Sequence, residues 1–367
     1  MLIAPAALVL GIIIVAQPGG ATRGTTPPAP GPTAPPSTNT GPFKVERTFN
    51  VGGEGGWDLL TVDSDARRLY VPRGDRVMVI DTQSGAVVGE IPDTAGVHGV
   101  AIASAFNRGF TSNGKAGAVT VFDLTTLKTL QTVKAGQNPD AILFEPVTKT
   151  ILCFNAKSRD ATVIKAEDGS VLGAIEIGGQ PELAVADGAG KVYVNVEDTS
   201  EVVRIDPKAL AVERRFALAP GEGPTGLTID AARRRLFAAC NNEMLVVIDA
   251  QTGKVLATPP IGKGVDGAEF DSDGGFVLTS NGGGRDAGAA ATLSVISTKD
   301  DKFEVVQTLP TASRARTLAL DPKTRRAFLP SAEYEAPKDA PEEGSRARPS
   351  MKPGTFKIIV VGPRTRS

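Results

Sequence analysis

Four carboxylates, one histidine, one threonine and one arginine stand at Asp58, His98, Asp140, Glu182, Thr225, Asp266 and Arg316, spaced 40, 42, 42, 43, 41 and 50 residues apart. Each opens a short, mostly apolar stretch, in the triplets Trp57-Asp58-Leu59, Val97-His98-Gly99, Pro139-Asp140-Ala141, Pro181-Glu182-Leu183, Pro224-Thr225-Gly226, Val265-Asp266-Gly267 and Ala315-Arg316-Thr317. Fifteen residues beyond these leading residues comes a second set: Arg73, Asn113, Asn155, Cys240, Asn281 and Ser331, with Asn195 or Glu197 in the shorter fourth unit. Carboxylates held close together raise one another's pKa unless a cation intervenes. Arg316 and Arg73 could supply that charge, and so could Ca²⁺ or Mg²⁺, which take oxygen ligands from Asp, Glu and Asn. Asp140, Asn155 and Glu182 have this hard-ligand character. His98 is the single histidine, and a group titrating near neutrality in such a ring is a candidate general base. Trp57, the single tryptophan, is either a stacking platform for a ring-shaped ligand or a core filler. The plain alternative is a wet, polar rim whose acids cap turn amides.

These positions come together only if the chain is an array of one unit. The phrase Leu69-Tyr70-Val71 … Val77-Met78-Val79-Ile80-Asp81 returns loosely as Val192-Tyr193-Val194 … Val202-Val203-Arg204-Ile205-Asp206, and again as Leu236-Phe237-Ala238 … Leu245-Val246-Val247-Ile248-Asp249. Seven units of this length, each holding four short strands, are the arithmetic of an all-β, seven-bladed β-propeller. In the third unit the strands are predicted at Asp140–Phe144, Ile151–Asn155, Ala161–Ile164 and Val171–Ile177. Third strands such as Val77–Ile80, Leu245–Ile248 and Ile358–Val361 are almost wholly apolar, as strands buried on both faces are. The seventh unit has strands at Thr317–Leu320, Arg326–Leu329 and Phe356–Val361 but no fourth. Residues 43–52 read as an outer strand without a unit, so pairing them onto 356–361 closes the last blade and removes the exposed edges. Strand one starts, and strand two ends, at the same face of a blade, so both residue sets are expected around one channel mouth. The candidate ligand residues are Trp57, Asp58, His98, Asp140, Asn155, Glu182, Asp266, Asn281 and Arg316.

The pattern Leu-Tyr-Val … Val-x-Val-Ile-Asp … Thr/Ser-Gly-x-Val-Val resembles the YVTN repeats of YncE-like β-propeller proteins over nearly all of 43–362. The resemblance implies an exported binding or envelope role, with single-stranded DNA binding in one branch. Its expected partners are a small molecule, a glycan or an envelope protein. A second reading is a divalent-metal-dependent hydrolase resembling lactonase-type propellers, using the same rim. Several classes are excluded by what the chain lacks. There is no Gly-x-Ser-x-Gly elbow, no Cys-x-x-Cys-His and no Walker or dinucleotide fingerprint. One histidine cannot build a His-rich copper or zinc cluster. A net charge of −1 gives no general pull toward nucleic acid.

The flanks complete the reading. Residues 1–21, apolar from Leu2 to Ala16 and then small, are expected to be a signal peptide or, if uncleaved, an N-terminal membrane anchor. This predicts a periplasmic or secreted protein. Residues 22–42, rich in Pro, Thr and Gly, read as a linker, and 363–367 as a tail. Insertions at 282–290 and 333–354 separate strands two and three of the last two units and are expected over the mouth. Cys153 and Cys240 fall in non-neighbouring units and are expected to be free thiols, and a monomer is expected.

Overall fold

In the computed structural model, residues 36–284, 290–335 and 349–364 are described. They form seven four-stranded antiparallel sheets. The innermost strands are Thr61–Asp63, Val97–Ala103, Pro139–Glu145, Pro181–Ala186, Pro224–Asp230, Val265–Asp271 and Ala319–Asp321, in blades one to seven. Each lies against the next, and the seventh against the first, so the ring is complete. Two short 3-10 turns, Ser104–Phe106 and Lys299–Asp301, are the helical elements among the described residues, and none of their helices is long and apolar enough to cross a membrane.

The repeated phrase follows from the environment of each strand. Strand-three residues such as Val77, Val79, Ile80, Leu245, Val247 and Ile248 are fully buried, because blades stack face to face and bury both sides of the sheet. The aspartate ending that strand serves the next turn. Asp81 Oδ1 accepts from the amides of Gln83 at 3.1 Å and Ser84 at 2.7 Å, and from Ser84 Oγ at 2.8 Å. Asp123 and Asp249 repeat the arrangement. These bonds pull Asp81, Asp123 and Asp249 below the usual carboxylate range. Gly85 then turns with φ +77, and a side chain there would strike the Phe49 ring.

The seventh blade is closed as expected. Phe43–Asn50 pairs antiparallel with Lys357–Pro363, from Phe43 opposite Pro363 to Asn50 opposite Lys357. Phe43 is fully buried and meets Phe276 of blade six edge-on, ring centroids 5.7 Å apart. Gln307 of blade six donates to Phe43 O at 2.9 Å and accepts from Phe43 N at 3.0 Å. The linker's last residues also touch the ring, with the Thr38 amide donating to Thr308 O at 2.8 Å. Both cysteines are buried and free. The expected signal or anchor at 1–21, linker residues 22–35, residues 285–289 and 336–348 of the insertions, and tail residues 365–367 lie outside the described residues.

Candidate functional site

A local irregularity in five blades aims the leading residues at the channel. The ladder between strands one and two slips between Val97 and Gly99, Pro139 and Ile142, Pro181 and Ala184, Pro224 and Gly226, and Val265 and Gly267. His98, Asp140, Glu182, Thr225 and Asp266 therefore occupy β-bulges, where the extra residue is free of ladder alternation and its side chain can be re-aimed. Asp58 and Arg316 precede the ladders of their blades. Bonds between neighbouring blades fix the ring: the Leu59 amide donates to His98 O at 2.9 Å, the Asp266 amide to Arg316 O at 3.2 Å, and Thr317 Oγ1 to Asp58 O at 3.0 Å.

The result is a chain of charged contacts around one mouth. Arg316 joins Asp266 directly and reaches Asp58 Oδ1 at 3.5 Å. Asp58 Oδ2 lies 2.6 Å from His98 Nδ1, and Asp140 Oδ1 lies 3.7 Å from the same nitrogen. Gln180 Nε2 continues the arc, donating to Glu182 Oε1 at 3.1 Å and Glu197 Oε2 at 2.8 Å. Burial pushes Asp140 up to about 6, with Asp58 adding to the shift while His98 and Arg316 oppose it. Asp266 rises to about 6 for the same reason, restrained by Arg316. Glu182 rises further, to about 8, through burial and the nearby Asp140. Burial works against a charge on His98, yet the Asp58 hydrogen bond and the carboxylates around it prevail and raise its pKa.

The second set of residues does something else. Asn155 is fully buried, and its Nδ2 donates into its own blade, to Asp160 Oδ1 at 2.6 Å and Thr162 Oγ1 at 3.0 Å. Asn281 is likewise buried and donates to Ser294 Oγ at 2.9 Å and Thr292 Oγ1 at 3.2 Å. Asn113 bonds Thr120 in the same manner. These amides tie strand two to strand three, because a buried strand end must satisfy its polar groups inside the protein. The structure thus places the Nδ2 atoms of Asn155 and Asn281, both expected ligand residues, in bonds within their own blades. The trio whose ligand atoms do converge is Asp58, His98 and Asp140, all within 4.8 Å of one another. Its imidazole and two carboxylates suit a borderline ion such as Zn²⁺ better than Ca²⁺ or Mg²⁺.

Trp57 is half-buried against Phe356, with centroids 5.5 Å apart, and Tyr334, 6.2 Å away. It is a wall of the blade-seven side and not a free platform. Arg314 lies over the Tyr334 ring at 4.0 Å, so the foot of the second insertion stands beside the mouth. Gly282, opening the first insertion, sits so close to Arg316 that a Cβ there would come within 2.9 Å of its side chain. Gln180, which precedes its blade's leading residue by two, was not among the candidates; Glu197, offered with Asn195 for the shorter fourth unit, lies past the end of strand two. The one-residue deficit of unit four was the available signal for Glu197.

No protein-family profile matches the sequence, and no curated protein matches it. Solved structures do match. The hydrazine synthase of Kuenenia stuttgartiensis is similar with a TM-score of 0.66 at 14% identity, over 76% of this chain and 93% of that one. U3-55K gives 0.67 at 11% identity, over 87% and 98%. The RRP9 WD40 repeats give 0.68 at 11% identity, over 88% and 98%. At such identities the likeness is one of architecture, and the chain is a seven-bladed β-propeller.

Proposed function

We propose that this chain is an exported, YncE-like binding propeller whose channel mouth takes a small cationic ligand, most simply a primary amine. The observation that carries the reading is an imbalance of charge. Asp58, Asp140, Glu182, Glu197 and Asp266 share the mouth, with Arg316 and His98 as their cationic partners. Burial first, and neighbouring acids second, raise the Asp140, Glu182 and Asp266 carboxyls, and an ammonium group among them would favour their charged forms. The same acidity repels phosphates and weighs against nucleic acid at this site. The YVTN-like repeat and the apolar residues 2–16 support the family and export parts of the reading.

A metal-dependent hydrolase is the second reading, favoured by the Asp58–His98–Asp140 convergence. One experiment separates the two. Calorimetric titration with butylamine, butyrate and Zn²⁺ should show butylamine binding, no butyrate binding, and several-fold weaker butylamine binding in Asp140→Asn. Stoichiometric Zn²⁺ with no amine response would favour the hydrolase, and equal responses to butylamine and butyrate would refute the amine reading.

A further inference from the structure

A cavity of about 130 Å³ lies in the central channel. Its wall is mixed, with Leu59, Leu183, Leu227 and Leu318 arriving from blades one, four, five and seven beside the polar Thr228 and Thr317. Two acids line it: Asp266, which belongs to the mouth, and Glu269, three residues deeper along the same strand. Residues an odd number apart normally face opposite sides of a strand. The bulge at Asp266 removes that alternation, so both acids serve one cavity. Three residues of strand span about 10 Å.

Glu269 has no place in the charged arc. The nearby Leu320 amide favours its charged form, and no cationic side chain is paired with it among the described residues. Burial pushes it up to about 7, against the pull of that amide. Glu269 is half-buried at the cavity wall, and a carboxylate held there without a counter-ion leaves a place for a cation. The cavity can hold one, since an apolar cavity of about 150 Å³ takes up a benzene ring.

We propose that the channel takes a linear aliphatic diamine or polyamine, one ammonium held by the mouth carboxylates, the second by Glu269, and the methylenes between them against the four leucines. This rests on the cationic-ligand reading above and adds a second charged station to it. A monoamine held at the mouth leaves Glu269 unpaired beside its methylenes, whereas a diamine closes both ends with charge-assisted hydrogen bonds.

The test compares hexylamine with 1,6-diaminohexane by calorimetry on the full chain and on Glu269→Gln. The wild type should bind the diamine at least tenfold more tightly, and the variant should lose that preference while binding hexylamine unchanged. Retained hexylamine binding also reports that the variant's mouth is intact. Equal affinities in the wild type, or a diamine preference that survives in the variant, overturns the inference and leaves the mouth reading standing. Equal loss of both ligands in the variant places a single ammonium at Glu269 and also overturns it. Failure of either amine to bind the wild type overturns both readings.

Discussion

The titrating groups of the mouth act on stability in one direction. Asp140, Glu182, Asp266 and His98 all have folded-state pKa values above their usual ones, so the native state holds their protons more tightly than the unfolded chain does. The stability they contribute is complete below their unfolded values, near pH 4 for the acids. It is lost as pH rises through about 6 for Asp140 and Asp266 and about 8 for Glu182. Asp81, Asp123 and Asp249 act oppositely: their depressed values add stability above pH 4 that is lost in acid. A stability maximum on the acid side of neutrality follows. Glu182→Gln should flatten the alkaline fall, adding on the order of 1–3 kcal/mol at pH 8. Urea denaturation across pH 5 to 8 measures it, and a wild-type curve that rises toward pH 8 would contradict the assignment.

At the scale of the strand, the two residues that mark one end of a blade divide the work in blades two, three and six. There the bulged leading residue belongs to the mouth, while Asn113, Asn155 and Asn281 fasten strand two to strand three. Asn155→Ala should therefore cost about 1–3 kcal/mol of stability, since it strands the buried Thr162 and removes a partner of the half-buried Asp160. Amine binding by the folded variant should be unchanged, in contrast to Asp140→Asn; chemical denaturation and calorimetry on one preparation read both. This division explains what the sequence made legible. Strand positions, the blade count, the closing strand and the convergence of Asp58, His98, Asp140, Glu182, Asp266 and Arg316 follow from apolar periodicity and repeat spacing. The bonds of the Asn155 and Asn281 amides within their blades were not legible, because spacing reports which end of a strand a residue occupies and not which way its side chain turns. Glu269 was hidden for a related reason: inside an apolar inner strand, only the bulge at Asp266 turns it toward the channel.

The whole ring depends on a contact between distant parts of the chain. Phe43 is held in the core formed with Leu293, Leu309, Leu329 and Val361 of blades six and seven. Phe43→Ala should cost about 3–5 kcal/mol and lower the melting temperature, seen by calorimetric scanning. A loss below 1 kcal/mol would mean that the ring does not rely on this strand. The strand has a second consequence, one of timing. It leaves the ribosome before the seven inner strands, and its partner Lys357–Pro363 emerges after all of them. At about 5–20 residues per second this leaves it waiting roughly 15–60 s without the edge it was made for. Through that interval an eight-residue β-segment is open to pairing with a neighbouring nascent chain. Lys44, Glu46 and Arg47 place charge between its two buried phenylalanines, as strands that must stay soluble alone do. The segment that seals the finished molecule is thus written to survive its own synthesis.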